Sequence, residues 1–204
     1  MSEYDHEPIP GLPGPLPAGE EILWQGSPDW MGLAQRAFHV RGFGVYFAIL
    51  MIVAVFNGTL IGIGLTLAGT LGGMGILFGL AWLCARTTIY TITNRRVVMR
   101  FGMALPAAIN LPFVTIGGAN VAYDSKGRGD IPLMLTGKHR LGYLQFWPHA
   151  RAWKLARPEP MLRSIKQAKS VVAILSAELA RVHASAPIVA ETIQPVPAKE
   201  ALAA

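Results

Sequence analysis

Five histidines and one cysteine are the side chains best suited to bind a metal or to act as a nucleophile or base. They are His6, His39, Cys84, His139, His149 and His183. None has a second His, Cys or carboxylate at the spacing of metal ligands or of a catalytic pair. The glycine runs at 62–64 and 72–75 lie in long apolar sequence, where phosphate loops do not occur. We therefore expect no catalytic residue, no metal site and no cofactor, and hence no enzyme.

His39 needs separate consideration, because a histidine beside a membrane helix can ligate the iron of a haem or, equally, the magnesium of a chlorophyll. It lies between Phe38 and Arg41, and the sequence around it forms no evident pocket of small residues. We expect His39 to be an interfacial residue. Pigment carriage is kept as a third interpretation of the chain.

The distribution of charge indicates a membrane segment. The forty-four residues between Arg41 and Arg86 contain no Asp, Glu, Lys or Arg. One helical crossing of a bilayer needs about 20 apolar residues, so this length favours two crossings with a tight turn. The predicted crossings are about 40–57 and 60–84, and the turn is 57–59.

The flanks of this hairpin predict its orientation. The turn carries no charge, whereas arginines crowd the open ends, so the positive-inside rule puts both chain termini in the cytoplasm of a bacterial inner membrane. The preceding residues 29–41 read as an amphipathic lead-in helix. Its candidate membrane-interface residues are Trp30, Arg36, His39 and Arg41.

Small residues in the second crossing fall at helical spacing on two faces. Such faces let membrane helices approach closely. The candidate helix-packing residues are Gly69, Gly72, Gly73, Gly75 and Gly79. One face can serve the hairpin itself, and a second face indicates another helix, from a second copy or from another protein. The alternative is the ordinary abundance of glycine in membrane helices.

After the hairpin the pattern changes to short alternating strands. Residues 87–93 and 96–101 predict a β-hairpin. Further predicted strands are 107–111, 113–116, 119–124, 131–136 and 142–146, and 159–183 is predicted to be helical, with Ser164 and Gln167 forming a capping box. The expected fold is a transmembrane helical hairpin plus a small antiparallel β-barrel or sandwich with a C-terminal helix. The predicted segments are an acidic Pro-rich arm (1–19), a strand, turn and lead-in (20–41), the hairpin (42–85), the cytoplasmic domain (86–183) and a disordered tail (184–204).

Charge is segregated by sign along the chain. Residues 1–35 hold six acids and no Lys or Arg, whereas 86–183 hold fifteen Lys or Arg and four acids. A basic domain at a membrane is attracted to anionic lipid headgroups, and the acidic arm could instead fold back on it. Aromatic residues are not interleaved with the basic ones, so we expect no nucleic acid partner.

Two strings resemble the bacterial pleckstrin-homology-like domain of small membrane proteins. They are LPAGEEILWQG at 16–26 and TIYTITNRRVV at 88–98. In that family a membrane hairpin separates an E-x-x-L-W-x-G segment from a Y-x-[IL]-T-x-x-R hairpin. The resemblance implies a pleckstrin-homology-like fold for the cytoplasmic domain.

Nearly the whole chain up to about residue 183 resembles the PuhB family of photosynthetic complex assembly proteins of purple bacteria. The matching strings are YDHEPIPGLP at 4–13, ILWQGSPDW at 22–30, YLQFWPHAR at 143–151 and RPEPMLR at 157–163. This resemblance implies an assembly factor whose partners are reaction-centre and light-harvesting subunits, at the inner membrane and its photosynthetic infoldings. It carries over no catalytic residue.

One aromatic and basic string is the predicted surface for such partners. Its residues are Phe146, Trp147, His149, Arg151 and Trp153. The alternative is that its aromatic residues belong to the core of the domain. The runner-up function is a general module that binds anionic lipid with the same architecture.

Overall fold

The computed structural model describes residues 10–102, 107–124, 127–137, 143–151 and 158–185. Trp153, residues 1–9 of the arm and the tail from residue 186 lie outside these ranges. The helices are α1 (Trp30–Arg36), α2 (Val40–Phe56), α3 (Leu60–Thr87), α4 (Tyr143–Phe146) and α5 (Ala168–Ser185). The strands are β1 (Ile22–Gly26), β2 (Ile89–Thr93), β3 (Arg96–Phe101), β4 (Ala107–Pro112), β5 (Ile116–Ala119), β6 (Ala122–Tyr123), β7 (Gly129–Leu135) and β8 (Met161–Ile165).

The first sheet has the order β1-β2-β3-β4, and its three pairings are antiparallel. The predicted hairpin of β2 and β3 is confirmed, since Tyr90 pairs with Met99 and Ile92 with Val97. Tyr90 and Ile92 on one face of β2 belong to the core of the domain. Thr91 and Thr93 on its other face are buried as well, with Gln25 and Glu20 as their hydrogen-bond partners, so both faces of this strand are covered.

The second sheet has β7 between β5 and β6, with β8 also paired to β7. Three predictions fail here. Residues 113–115 form a short 3-10 helix, α4 replaces the strand expected at 142–146, and β8 replaces the helix expected to begin at 159. Ser164 belongs to β8 rather than to a capping box, because this segment pairs antiparallel with β7, and Ser164 itself lies at the irregularity of that pairing with a φ of +50°.

Helix α5 closes the core of the domain. Apolar residues at helical spacing are buried against the sheets, with Ala168, Leu175 and Leu179 each less than a tenth exposed. Val171 is also fully buried. The antiparallel sheets and the C-terminal helix of the predicted fold are thus confirmed.

Helices α2 and α3 form an insertion between β1 and β2, which are hydrogen-bonded neighbours. The two helices pack antiparallel, since the Cβ positions of Gly69 and Gly73 on α3 face Phe47 and Phe43 on α2. A Cβ at Gly73 would overlap the Phe43 ring. The chain therefore leaves the domain along α2 and returns to it along α3.

The described helices give a weaker membrane signal than predicted. Helix α3 alone is long and apolar enough to cross a membrane. Helices α1 and α2 meet that criterion only as a pair, and they are bent by 58°. The hairpin of two crossings stays a prediction.

Candidate membrane interface at the helix–domain junction

The junction between the helical insertion and the sheets is a packed structure of its own. Only Thr88 separates the end of α3 from β2. Apolar side chains of α1 and the start of α2 pack against the last turns of α3. This junction cluster consists of Leu33, Ala34, Phe38, Val40, Ala81, Cys84 and Ala85. Its burial fixes where the helices leave the domain.

Three exposed tryptophans surround the junction cluster. Trp30 packs edge-to-face on Phe78 with ring centroids 6.2 Å apart, and Trp147 does the same on Phe38 at 5.4 Å. The guanidinium carbon of Arg86 lies 5.3 Å from the Trp82 ring centroid. The three indoles are 39%, 45% and 49% exposed for Trp30, Trp147 and Trp82. Exposed amphipathic rings beside an apolar helix are typical of a membrane–water boundary.

The predicted interface residues divide into two groups. His39 and Arg41 are exposed at the start of α2, and Trp30 is one of the three exposed indoles. Arg36 points instead to the domain, where its Nη1 lies 3.1 Å from Oδ2 of Asp130. Its guanidinium is therefore engaged within the protein, and the role of Arg36 at a membrane interface stays a prediction.

Ion pairs hold α1 against the second sheet. Nη1 of Arg128 donates to Asp29 at 2.6 Å, and its Nε donates to Asp124 at 2.8 Å. Burial alone raises the pKa of Asp29, but hydrogen bonds from Arg128 and from the Gly32 amide outweigh it, so the pKa is lower than usual. Asp29 also caps α1 through that amide. The lead-in helix is therefore fixed to the domain.

Two of the four described residues of the predicted partner string are buried. Phe146 and His149 are fully buried, so the prediction that they are exposed is wrong. Phe146 packs against Phe101, as the core alternative required. Arg151 pairs with Glu159 at 2.8 Å, and Trp147 is the exposed member at the junction. Trp153 lies outside the described residues.

His149 links the domain to the end of α3. Its Nδ1 lies 2.7 Å from the Tyr90 hydroxyl, and its Nε2 lies 3.2 Å from the Thr88 hydroxyl. Sγ of Cys84 lies 3.5 Å from the same Nε2. Burial, assisted by the charge of Arg163, lowers the pKa of His149 to about 3. The ring is therefore neutral at physiological pH.

The glycines of α3 face two directions. Gly69 and Gly73 allow the close approach of α2. At Gly72, Gly75 and Gly79 a Cβ would meet no described atom within 4 Å. The two faces expected from the sequence are thus present, and one of them is unoccupied among the described residues.

Trp82 and Arg86 are the junction residues that sequence reasoning missed. They are four residues apart at the end of the apolar run, a spacing that puts both on one helix face. This spacing in the sequence could have indicated their contact. Within the described residues no group of three or more His, Cys, Asp or Glu side chains could hold a metal ion.

Comparison with known proteins identifies relatives along most of the chain. The model of the bacterial PH domain family matches residues 37–179. The chain is 39% identical over 187 residues to a Rhodobacter capsulatus protein, named as an uncharacterized 23.7 kDa protein in the puhA 5′ region. That match covers 85% of this chain and 86% of the relative.

A solved Shewanella loihica protein with a pleckstrin-homology domain is also similar. It is 13% identical, and the match covers 46% of this chain and 68% of that one. The TM-score is 0.31, too low for the likeness to bear on the fold.

Proposed function

Because this chain belongs to the bacterial PH domain family, we propose that it is a membrane-embedded scaffold. In this role α2 and α3 cross the inner membrane as a hairpin, and the PH domain lies at the cytoplasmic surface. The role is non-catalytic. One observation carries the proposal: the helical insertion starts and ends at neighbouring strands of one sheet. If α3 crosses a bilayer, α2 must cross it as well, since the chain has to return to β2.

The dimensions of the insertion fit this arrangement. Helix α2 has 17 residues, or about 26 Å at 1.5 Å per residue, close to the hydrocarbon thickness of a bilayer. Helix α3 has 28 residues, and its last turns belong to the junction cluster. The exposed tryptophans then lie at the depth that indole rings prefer.

Exposed apolar side chains give the second line of support. Most of the large exposed hydrophobic residues belong to α2 and α3, and Phe56 and Leu60 beside the turn are 88% and 85% exposed. Contiguous apolar surface of this kind is rare on soluble monomers. Arg41 and Arg86 flank the open end, as the positive-inside rule expects of a cytoplasmic side.

We further propose that the scaffold assists assembly of the photosynthetic core complex. The sequence strings that resemble the PuhB family support this, and the Rhodobacter capsulatus relative comes from the puhA region, which shares the puh gene stem. The proposed partners are reaction-centre and light-harvesting subunits. The open face of Gly72, Gly75 and Gly79 offers a contact for their helices or for a second copy of the chain.

A deletion strain tests the assembly role. We expect a lower yield of assembled core complex with pigment synthesis intact, and cross-linking in intact membranes should capture a core-complex subunit. Loss of pigment synthesis itself would contradict the scaffold role. A purified protein with visible or near-infrared absorption would favour pigment carriage instead.

Anionic-lipid binding is the second candidate function. Exposed basic side chains such as Lys166, 73% exposed, favour it. Salt-sensitive binding of the protein to anionic vesicles, with no photosynthetic subunit captured by cross-linking, would make lipid binding the main function.

A further inference from the structure

Residues 10–20 of the N-terminal arm lie across the outward face of the first sheet. A Cβ at Gly11 would lie 2.6 Å from Cγ2 of Ile89, at the start of β2. At the other end of β2, the Glu20 carboxylate accepts a hydrogen bond from the Thr93 hydroxyl at 2.9 Å. Ile89 and Thr93 point to the same side of the strand, because side chains alternate between the two faces. The arm therefore runs the length of β2 on the side away from the core.

The sheet residues under the arm are as buried as those of the core. Thr91 lies between Ile89 and Thr93 on the outward face, and Val98 of β3 pairs with it. Both are fully buried, although Val98 belongs neither to the core of the domain nor to the junction cluster. Leu12 of the arm is itself 1% exposed. The arm and the outward face thus form a second, smaller packed layer.

Three side chains beside this face bind the backbone of the arm. Their N–H groups donate to arm carbonyls, from Gln25 Nε2 to Pro10 at 2.8 Å, from Asn94 Nδ2 to Gly19 at 3.0 Å and from Arg95 Nη2 to Ala18 at 3.3 Å. Four residues of the arm have no amide hydrogen to donate in return, namely Pro10, Pro13, Pro15 and Pro17. Recognition through carbonyl oxygens suits a proline-rich, extended chain.

Two buried side chains anchor the arm at its ends. One is Leu12, and the other is Glu20, which is 6% exposed. The Glu20 carboxylate accepts from Nε and Nη2 of Arg96 at 2.7 and 3.0 Å. Residues 13–19 between the anchors are exposed or half-buried. One apolar anchor, one carboxylate and a few carbonyl contacts are the contacts of a bound peptide.

We propose that the outward face of the first sheet is a groove for an extended, proline-rich segment of a partner protein, and that the arm is its internal occupant. The matching segment has a leucine eight residues before a carboxylate, as in Leu12 and Glu20. A tethered segment has an effective concentration in the millimolar range, so the arm fills the groove until a partner segment is brought close. The groove lies on the domain, and it does not depend on whether the helices cross a membrane.

Binding of a synthetic peptide to the full-length protein in detergent tests the groove. The probe is a fluorescein-labelled peptide of residues 10–21, and fluorescence anisotropy measures its binding. Leu12→Ser weakens the arm as a competitor and leaves the groove intact. We expect this variant to bind the peptide at least about tenfold more tightly than the wild type does. Leu16→Ser, the same change at a half-buried leucine of the arm, should bind like the wild type.

A second variant opens the groove from the other anchor. Glu20→Gln weakens the contact of the arm with Arg96 and should show the same gain in peptide binding. The test therefore does not depend on the folding of one variant.

Changes in the peptide separate recognition from non-specific binding. A peptide that carries Glu20→Gln should bind the Leu12→Ser protein at least about tenfold more weakly than the unchanged peptide, because it loses the charged hydrogen bonds to Arg96. Adding Arg96→Gln to the protein should abolish this preference. Adding Arg86→Gln, at an exposed cation beside Trp82, should retain it.

Four results would overturn the proposal. Three of them are no peptide binding to either opened variant, equal binding by the wild type and the opened variants, and equal binding of the two peptides. The fourth is a wild-type dimer that Leu12→Ser converts to monomer, since the groove would then hold the arm of a second copy.

Discussion

Nδ1 of His149 lies 2.7 Å from the hydroxyl of Tyr90, and both side chains are fully buried. The other ring nitrogen contacts Thr88 and Cys84 at the end of α3. One imidazole thus joins the last turn of a helix to the first residues of the strand that continues it. This contact holds the helical insertion and the PH domain together as a unit.

Replacing His149 should therefore destabilise the protein. His149→Ala leaves the Tyr90 hydroxyl without this partner and opens a cavity, so we expect a loss of about 2–4 kcal/mol in the free energy of unfolding. Denaturant unfolding in detergent measures it. The control is His183→Ala, at an exposed position of α5, which should change the value by less than about 0.5 kcal/mol. Equal effects of the two variants would contradict this role.

The same histidine should give the protein a pH dependence. Its pKa is about 3 in the folded protein and about 6.5 in an unfolded chain, so the unfolded state binds the proton first. Stability is then complete above pH 6.5 and falls by up to about 1.4 kcal/mol per unit as the pH drops toward 3.

Unfolding between pH 6.5 and 5 isolates this effect, because Glu20 and Asp29, whose pKa values are lowered, lose their contributions at lower pH. The free energy of unfolding of His149→Gln should change little with pH between 6.5 and 5. If it changed as steeply as in the wild type, the pH dependence would belong to another group.

Glu20 should anchor the N-terminal arm. Its buried carboxylate accepts from Arg96 Nε at 2.7 Å, from Arg96 Nη2 at 3.0 Å and from the Thr93 hydroxyl at 2.9 Å. Glu20→Ala removes the acceptor of these three hydrogen bonds and leaves their donors unpaired. We expect it to lower the free energy of unfolding by about 1–3 kcal/mol. Glu21→Ala, at the exposed neighbouring carboxylate, should cost far less. If Glu20→Ala and Glu21→Ala lowered the free energy of unfolding by similar amounts, the ion pair of Glu20 with Arg96 would have no specific stabilising role.

The two glycine faces of α3 should respond differently to a larger side chain. Gly73→Leu would collide with the Phe43 ring and should lower the Tm in detergent, whereas the side chain of Gly72→Leu would enter open space and should leave the Tm unchanged.

If the open face contacts a partner helix, Gly72→Leu should still reduce the yield of core complex. A stable Gly73→Leu protein would contradict the packing described for α2 and α3.

The sequence predicted local features better than long-range ones. The β2–β3 hairpin and the apolar positions of α5 follow from local spacing, because a two-residue turn joins the two strands and one face of α5 is buried. The sequence predicts a helix at 161–165, but this segment is a strand because it pairs with β7, which is distant in sequence. Pairing with a distant strand outweighs the local helix propensity of such a segment.

The junction was predicted only in part. Aromatic type and position singled out Trp30, which is 39% exposed and packs on Phe78, and its place at a membrane interface stays a prediction. The sequence could not separate Trp147 from its buried neighbours Phe146 and His149, since burial there depends on Phe101 and Tyr90 of the first sheet. The ion pair of Arg36 could not be predicted for a similar reason, because its partner Asp130 is ninety-four residues away.

Cysteine labelling in intact cells tests the central claim most directly. The native thiol of Cys84 is buried, so new thiols at Asn57→Cys in the turn and Ser170→Cys on α5 report their own sides of the membrane. The double crossing predicts that an impermeant maleimide reaching only the periplasm labels Asn57→Cys, and that Ser170→Cys is labelled only after lysis. Labelling of both positions on the same side would contradict the membrane hairpin.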